Sequence, residues 1–312
     1  YFDDSIESED DISQIVDLPV LASLEKNGTY VSYPALTMKS PRSPISESFR
    51  DLRTRVMFLS LNKPLETLLV TSANPFEGKS FTAANLAVVM AQAGHSTVLI
   101  DGDLRRPKQH EIFDLTNETG LSNLIMEANS PDAQGEDQAH ESLNALMDNV
   151  IQNTDQSSLR VLTSGTIPPN PSELIGSNGM IAVIKALKEK FDYVIMDSSP
   201  CLVVTDSLLL ATLADSVVVV SSANQTRGKD LKMAVTRLRG VDANVVGVVL
   251  NRVPRYERSR YPYYQSPIRV EGEAVEAEID QEDKPNGSFR GKFLRAVTNN
   301  GTDQSQVTPE KL

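Results

Sequence analysis

The apolar positions of this chain change period repeatedly, and the changes mark out an alternation of strands and helices. Ser8-Glu9-Asp10-Asp11 precedes Ile12, Ile15 and Val16, the pattern of a capped short helix. Leu18-Pro19-Val20-Leu21 reads as a short edge strand, and Pro34, Pro41 and Pro44 mark an extended stretch. From Ile45 the pattern turns helical, with Phe49, Leu52, Val56, Met57 and Leu59 mostly at three- and four-residue steps. Leu65–Val70 has the length and composition of a buried strand. It is followed by a Pro/Gly loop at 72–78, a helix over Phe81–Gln92 with Gly94 just past its end, and a strand over Thr97–Ile100. Strand, loop, helix, strand at these spacings is a βαβ unit.

The alternation continues. Leu159–Leu162, Tyr193–Met196, Ser216–Val220 and Val245–Leu250 are apolar, β-branched runs of the kind found in parallel strands covered on both faces. Helices open at Pro171–Glu173 and run over Gly179–Lys190 and Lys229–Arg239. The fold class that follows is α/β, a doubly wound, mostly parallel sheet. Residues 129–158 carry Asp132, Glu136, Asp137, Glu141, Asp148 and Asp155 with no Lys or Arg, which predicts an acidic surface insertion. Residues 1–44 read as a linker with a short helix, 45–255 as the main domain, 256–264 as a tyrosine-rich cluster and 265–312 as a mostly disordered tail in which Phe289–Val297 forms a short basic helix.

Composition narrows the picture. A net charge of −12 argues against nucleic-acid binding through the whole surface. The single cysteine, Cys201, excludes an internal disulfide and is expected to be a buried apolar residue in a reducing compartment. His95, His110 and His140 share no spacing and are expected to be structural or exposed. No apolar run approaches the ~18 residues needed to cross a bilayer. The chain starts at Tyr1 rather than Met, so a piece of a longer protein is expected, with any membrane spans in the part not included.

The strongest chemical signal is the loop. Ala73-Asn74-Pro75-Phe76-Glu77-Gly78-Lys79-Ser80 fits the Walker A pattern except for Ala73 at its opening glycine. Its place between a predicted strand and a predicted helix is what the chemistry requires. Backbone N–H groups cradle phosphate oxygens, Lys79 reaches the β- and γ-phosphates, and the Ser80 hydroxyl ligates Mg²⁺. Residues Ala73 to Phe81 are therefore the expected ATP-binding stretch. Phe76 stands where many such loops have glycine, and its bulk predicts a loop conformation that tolerates a side chain there.

Two further strands end in carboxylates: Val98-Leu99-Ile100-Asp101-Gly102-Asp103 and Tyr193-Val194-Ile195-Met196-Asp197, the latter a Walker B pattern. Open α/β sheets bind ligands at such strand ends. Asp101, Asp103 and Asp197 are together candidates for holding Mg²⁺ or for accepting a hydroxyl proton.

At these residues the chain resembles the bacterial tyrosine kinases (BY-kinases), P-loop proteins of the MinD/ParA-like superfamily that drive capsule and exopolysaccharide export. Leu99-Ile100-Asp101-Gly102-Asp103-Leu104-Arg105-Arg106-Pro107 is similar to the family's second Walker motif, A′. Gly165-Thr166-Ile167-Pro168-Pro169-Asn170-Pro171-Ser172-Glu173-Leu174, Ala83-Ala84-Asn85-Leu86-Ala87 and the E-x-x-R-x-x-R helix Glu47-Ser48-Phe49-Arg50-Asp51-Leu52-Arg53 are similar to other family segments. Residues 1–25 resemble the segment after the second membrane span of Wzc-type polysaccharide co-polymerases.

The resemblance implies an ATP- and Mg²⁺-dependent protein-tyrosine autokinase at the cytoplasmic face of the bacterial inner membrane, working with polysaccharide export machinery and a tyrosine phosphatase. It implies that Lys79 and Ser80 hold phosphate and Mg²⁺, that Asp103 and Asp197 arrange the metal shell, that Asp101 is the base, and that Asn251 contacts adenine. It also implies that Glu47, Arg50 and Arg53 form a homo-oligomer contact, in a possible ring, and that Tyr256, Tyr261, Tyr263 and Tyr264 are phosphoacceptors. Read from the residues alone, the Glu47/Arg50/Arg53 trio also fits a solvated helix face and the tyrosine cluster a disordered sticky peptide. Two other functions stay open. One is an ATPase switch of the ParA/MinD type, though Asn74 stands where those loops carry lysine. The other is a non-catalytic, nucleotide-dependent scaffold of an export complex.

Overall fold

A computed structural model describes residues 4–26, 36–59, 65–130 and 136–254. Pro34, the tyrosines at 256–264, the tail at 265–312 and the basic helix expected at 289–297 lie outside the described residues. Eight strands form one sheet: β1 (Val20–Glu25), β2 (Thr67–Ser72), β3 (Thr97–Asp101), β4 (Gln152–Asn153), β5 (Leu159–Leu162), β6 (Tyr193–Asp197), β7 (Ser216–Ser222) and β8 (Val245–Val253). Their order is β1-β8-β7-β2-β6-β3-β5-β4, and every pairing is parallel except that of β4 with β5. The helices are α1 (Glu9–Val16), α2 (Leu36–Lys39), α3 (Pro44–Leu59), α4 (Lys79–Gln92), α5 (Gln109–Phe113), α6 (Leu121–Ala128), α7 (Glu136–Val150), α8 (Pro171–Ile175), α9 (Asn178–Lys190), α10 (Asp206–Ala211) and α11 (Gly228–Arg239).

The continuous apolar strands are explained by two cores, one on each face of the sheet. In β3, Val98 and Ile100 enter a core shared with residues of α1, α6, α7, α9 and α11, while Leu99 between them enters a core shared with α3 and α4. Side chains alternate across a strand, so a sheet covered on both faces buries every position of its central strands. Helix α4 is buried from Thr82 to Ala91. The Asn85 amide in it accepts from the Thr37 backbone N–H and hydroxyl, both at 3.0 Å, and donates to the Phe81 carbonyl, so α2 is docked by a satisfied polar group.

Three expectations change. The N-terminal stretch is not a linker up to residue 44. Its Ser8 capping box forms as expected, but α1 packs on α11 and β1 joins the sheet beside β8. The segment before it is hydrogen-bonded to the β7–α11 connection: Ile6 N donates to Thr226 O (2.9 Å), Asn224 N to Ile6 O (2.8 Å) and Gly228 N to Asp4 O (2.8 Å). The proline-marked stretch contains α2, and Pro44 opens α3 at a position where its missing N–H costs nothing. The acidic stretch 129–158 holds the 15-residue α7, whose Leu143, Met147 and Val150 are buried, followed by β4. Its acids mask a helical stripe that reaches the core.

Candidate phosphate-binding and phosphotransfer site

The strand order places the site. β2, β3 and β6 lie together in the middle of the sheet, and their carboxyl ends carry the loop at 73–78, Asp101 and Asp197. Asp101 and Asp197 are paired directly in register on adjacent strands. Open α/β sheets place their ligands outside such ends.

The loop is held from below by polar contacts. The buried Glu77 carboxylate accepts from Asn74 N (2.9 Å) and from the Thr226 hydroxyl (2.7 Å). Burial raises the Glu77 carboxyl above its ordinary range, and these hydrogen bonds offset part of that. Asn74 Nδ2 also donates to Asp230 Oδ2 at 3.2 Å. Asn251, at the end of β8, donates from Nδ2 to Glu77 O (2.9 Å) and accepts at Oδ1 from Arg252 N (2.9 Å). Gly78 has φ +100°, and a Cβ there would lie 2.0 Å from Asn251 Nδ2, so this position admits only glycine. Beyond it α4 begins. The N–H groups of its first turn have no partner within the helix, and its dipole adds positive potential, which suits them to phosphate oxygens.

Phe76 corrects the expectation of a side-chain-tolerant loop. It sits at φ +66° with 74% of its surface exposed. The loop keeps its left-handed residue and imposes it on a phenylalanine, at a cost of about 1–2 kcal/mol.

Lys79 is nearly buried among the carboxylates. Its Nζ lies 3.0 Å from Asp103 Oδ2, 3.2 Å from Ser80 Oγ and 4.0 Å from Asp197 Oδ1. Burial works to lower its pKa, but Asp197 and Asp103 outweigh it and keep the ammonium charged. Asp103 also receives Arg106 N at Oδ1 (3.1 Å), which ties the A′ loop to the same carboxylate. Asp101 Oδ2 accepts Lys108 N and Gln109 N, both at 2.8 Å, and Asp197 Oδ2 accepts Gln109 Nε2 at 2.8 Å. The Oδ1 atoms of both aspartates are buried without a hydrogen-bond partner. Burial and the neighbouring Asp197 push the Asp101 carboxyl up to about 7, and burial likewise raises Asp197 against the pull of Lys79.

The 165–174 segment joins the site through Arg105. Its guanidinium donates to the buried Asp206 (Nε to Oδ2, 2.7 Å) and to Ser172 Oγ (2.9 Å), and Ser172 Oγ donates to Asp206 Oδ1 (2.6 Å). Sequence reading singled out neither Asp206 nor Gln109 as site residues. Gln109 lies two positions past the Pro107 that closes the A′ segment, and its residue type alone carries no signal. Asp206 opens a helix that no periodic pattern announced.

Away from the site, Arg50 on α3 pairs with Glu47 and donates to the Pro41 carbonyl, whereas Arg53 donates to Val89 O of α4 (3.0 Å). Only the first two of the trio are coupled to each other. Cys201 is buried and its thiol is pushed up to about 12, as suits an inert apolar residue. His95 packs edge-on against Tyr193.

Residues 77–244 match the AAA domain family. The chain is 37% identical over 231 residues to the putative tyrosine-protein kinase CapB of Staphylococcus aureus, covering 74% of this chain and 94% of CapB. It is 36% identical over 243 residues to tyrosine-protein kinase YwqD of Bacillus subtilis, covering 78% and 96%. The chain belongs to the bacterial tyrosine kinase family. The kinase domain of the Escherichia coli tyrosine kinase ETK superposes on this family member with a TM-score of 0.70 at 26% identity, over 80% of this chain and 96% of that one. Some members are much longer: the match to tyrosine-protein kinase etk of Escherichia coli K12 spans 74% of this chain and only 30% of etk. Among the described residues of this tyrosine kinase family member, no helix is long and apolar enough to cross a membrane.

Proposed function

We propose that this chain transfers the γ-phosphate of ATP to protein tyrosines. The observation that carries the reading is the meeting of Lys79, Asp101, Asp103 and Asp197 at three adjacent strand ends, beside a loop that only glycine at position 78 can form. In this reading residues 73–81 bind the phosphates, and the Lys79 ammonium neutralises charge on the β- and γ-oxygens. Ser80, Asp103 and Asp197 are the residues that would hold Mg²⁺. The Oδ1 of Asp197, which has no hydrogen-bond partner, fits that ion, and both Asp197 and Asp103 are shared with Lys79. When bound, Mg²⁺ neutralises charge on the transferring phosphoryl group.

Asp101 accepts the tyrosine proton. A carboxyl raised to about 7 is matched to a general base at neutral pH, and its Oδ1 has no other partner. Asn251, which grips the loop through Glu77 O, is the residue proposed to contact the adenine. Tyr256, Tyr261, Tyr263 and Tyr264 are the proposed acceptors, and Glu47, Arg50 and Arg53 the proposed contact between copies in a homo-oligomer, possibly a ring. The family resemblance of the motifs suggests action in capsule or exopolysaccharide synthesis at the inner face of the bacterial membrane. There this chain would work with a membrane-spanning co-polymerase region and export machinery and be reversed by a tyrosine phosphatase.

Purified chain incubated with Mg-ATP and mapped by mass spectrometry tests this reading. Phosphate on tyrosines is the expected outcome. ATP hydrolysis with no phosphotyrosine would support a switch ATPase instead, and nucleotide binding with neither would support a scaffold.

A further inference from the structure

We infer that Gln109 is a positioning residue for phosphotransfer, fixing which oxygen of Asp101 and of Asp197 faces the reacting groups. The inference rests on the kinase reading above. Three groups converge on this one fully buried side chain and its backbone. Gln109 N donates to Asp101 Oδ2 at 2.8 Å, and Nε2 donates to Asp197 Oδ2 at 2.8 Å and to the Ser80 carbonyl at 3.2 Å. A single residue thereby ties together the A′ strand, the Walker B strand and the first turn of the phosphate-loop helix.

The chemistry of the pair explains why a neutral donor is suited to this place. Asp101 and Asp197 are buried, of like charge and directly opposite in register. A second cation would neutralise them. Gln109 takes up one oxygen of each without removing their negative charge, Asp101 through its backbone N–H and Asp197 through its side-chain amide, and leaves Oδ1 of each without a hydrogen-bond partner. Lys108 N also holds Asp101 Oδ2 (2.8 Å), so Asp101 has a second anchor; the link to Asp197 and Ser80 belongs to the Gln109 amide. The Gln109 Oε1 is itself buried without a partner, an arrangement that packing does not favour and that a site requirement explains.

Gln109→Met tests this, because it keeps the volume and the backbone N–H to Asp101 and removes only the amide. Outer-shell partners of a metal-bearing site are typically worth about 10- to 100-fold in activity or metal affinity. The expected result is a fall in kcat of about that size, with Mn²⁺ binding in the presence of a non-hydrolysable ATP analogue weakened about tenfold. Metal-free nucleotide affinity should stay at the wild-type value, while the urea midpoint falls modestly because Asp197 Oδ2 and the Ser80 carbonyl lose their donor. Gln109→Asn, whose shorter amide cannot span both partners, should shift Mn²⁺ affinity in the same direction. Wild-type Mn²⁺ affinity and kcat in Gln109→Met overturn the inference. So does a loss of activity that tracks a loss of stability without a change in Mn²⁺ affinity, and so does an unfolded Gln109→Met alongside wild-type Mn²⁺ affinity in Gln109→Asn. A wild-type chain that makes no phosphotyrosine refutes the kinase reading separately, since the Mn²⁺ titration still reads Gln109.

Discussion

Two aspartates at opposite ends of the same sheet show how one residue type is used in two ways. Asp215 lies at the amino end, just before β7, and its Oδ2 accepts from Glu66 N (3.0 Å), Thr67 N (2.8 Å) and Thr67 Oγ1 (2.8 Å). Burial works to raise its carboxyl, but these donors and Lys188 outweigh it and hold it below the ordinary range. Asp101 lies at the carboxyl end, shares its surroundings with Asp197 and Asp103, leaves Oδ1 unpartnered and is pushed up to about 7. The first carboxylate is satisfied and strengthens the fold. The second is kept in an environment that opposes its charge, which is what a base working near neutral pH needs.

The contrast can be broken most severely at Lys79. Lys79→Met removes the cation that the three carboxylates share, and phosphotyrosine formation should fall by on the order of 10³-fold or more while the fold persists. Circular dichroism and anti-phosphotyrosine yield on the same sample check this, and normal yield from a folded variant refutes the loop assignment.

Asp101→Asn should lower kcat by about 10²- to 10⁴-fold with little change in ATP affinity. It should leave the melting temperature unchanged or higher, because a like charge beside Asp197 is lost. Equal losses in rate and ATP affinity would make Asp101 a metal ligand rather than a base.

Asp215→Ala should do the reverse. It strands three donors, costs about 1–3 kcal/mol, lowers the melting temperature by about 2–4 °C per kcal/mol and leaves phosphotransfer unaffected.

The two sites also differ in the sign of their pH dependence. A carboxyl lowered in the fold, as Asp215 is, adds stability above its ordinary pKa of 3.8, and that stability disappears as pH falls through the folded value. A carboxyl raised from 3.8 to about 7, as Asp101 is, contributes stability fully below 3.8 and loses it as pH rises to about 7. Urea midpoints of Asp101→Asn should therefore be less sensitive to pH between 4 and 7 than those of the wild type. An unchanged slope would show that Asp101 is not the buried acid.

The smallest effect is expected at Phe76. Phe76→Gly relieves the left-handed strain but loosens the unfolded chain, for a net gain below about 1 kcal/mol. A clear loss of stability would mean that the exposed ring packs on the loop in solution.

Much of this was legible because local pattern and global fold agree. The β2–loop–α4 unit is fixed by an apolar run, a Gly-Lys-Ser turn and a continuous buried helix, and it forms where the sequence places it. Asp101 and Asp197 end strands in both the pattern and the structure. The rest depends on contacts between distant residues. Helix α7 hides its Leu143–Met147–Val150 stripe among acids. The edge strand expected at Leu18–Leu21 forms as β1, but its place in the sheet was hidden because its partner, β8, lies more than 200 residues away, as the pairing of Val20 with Val248 records. Gln109 and Asp206 gain their meaning only from carboxylates and guanidinium groups brought to them by other strands.

The grip of Asn251 on the phosphate loop also sets an order of events during synthesis. Glu77 and Gly78 leave the ribosome early, but the hydrogen bond that locks them joins residues 174 positions apart. Strand β8 and the edge strand β1 that pairs with it must wait for the same late segment. Chains emerge at about 5–20 residues per second. The nascent protein thus carries the sequence of its nucleotide loop for on the order of ten seconds or more before the loop can close into its final shape. Throughout that interval the site exists only in parts, so β8 must be made before the loop can take its final shape.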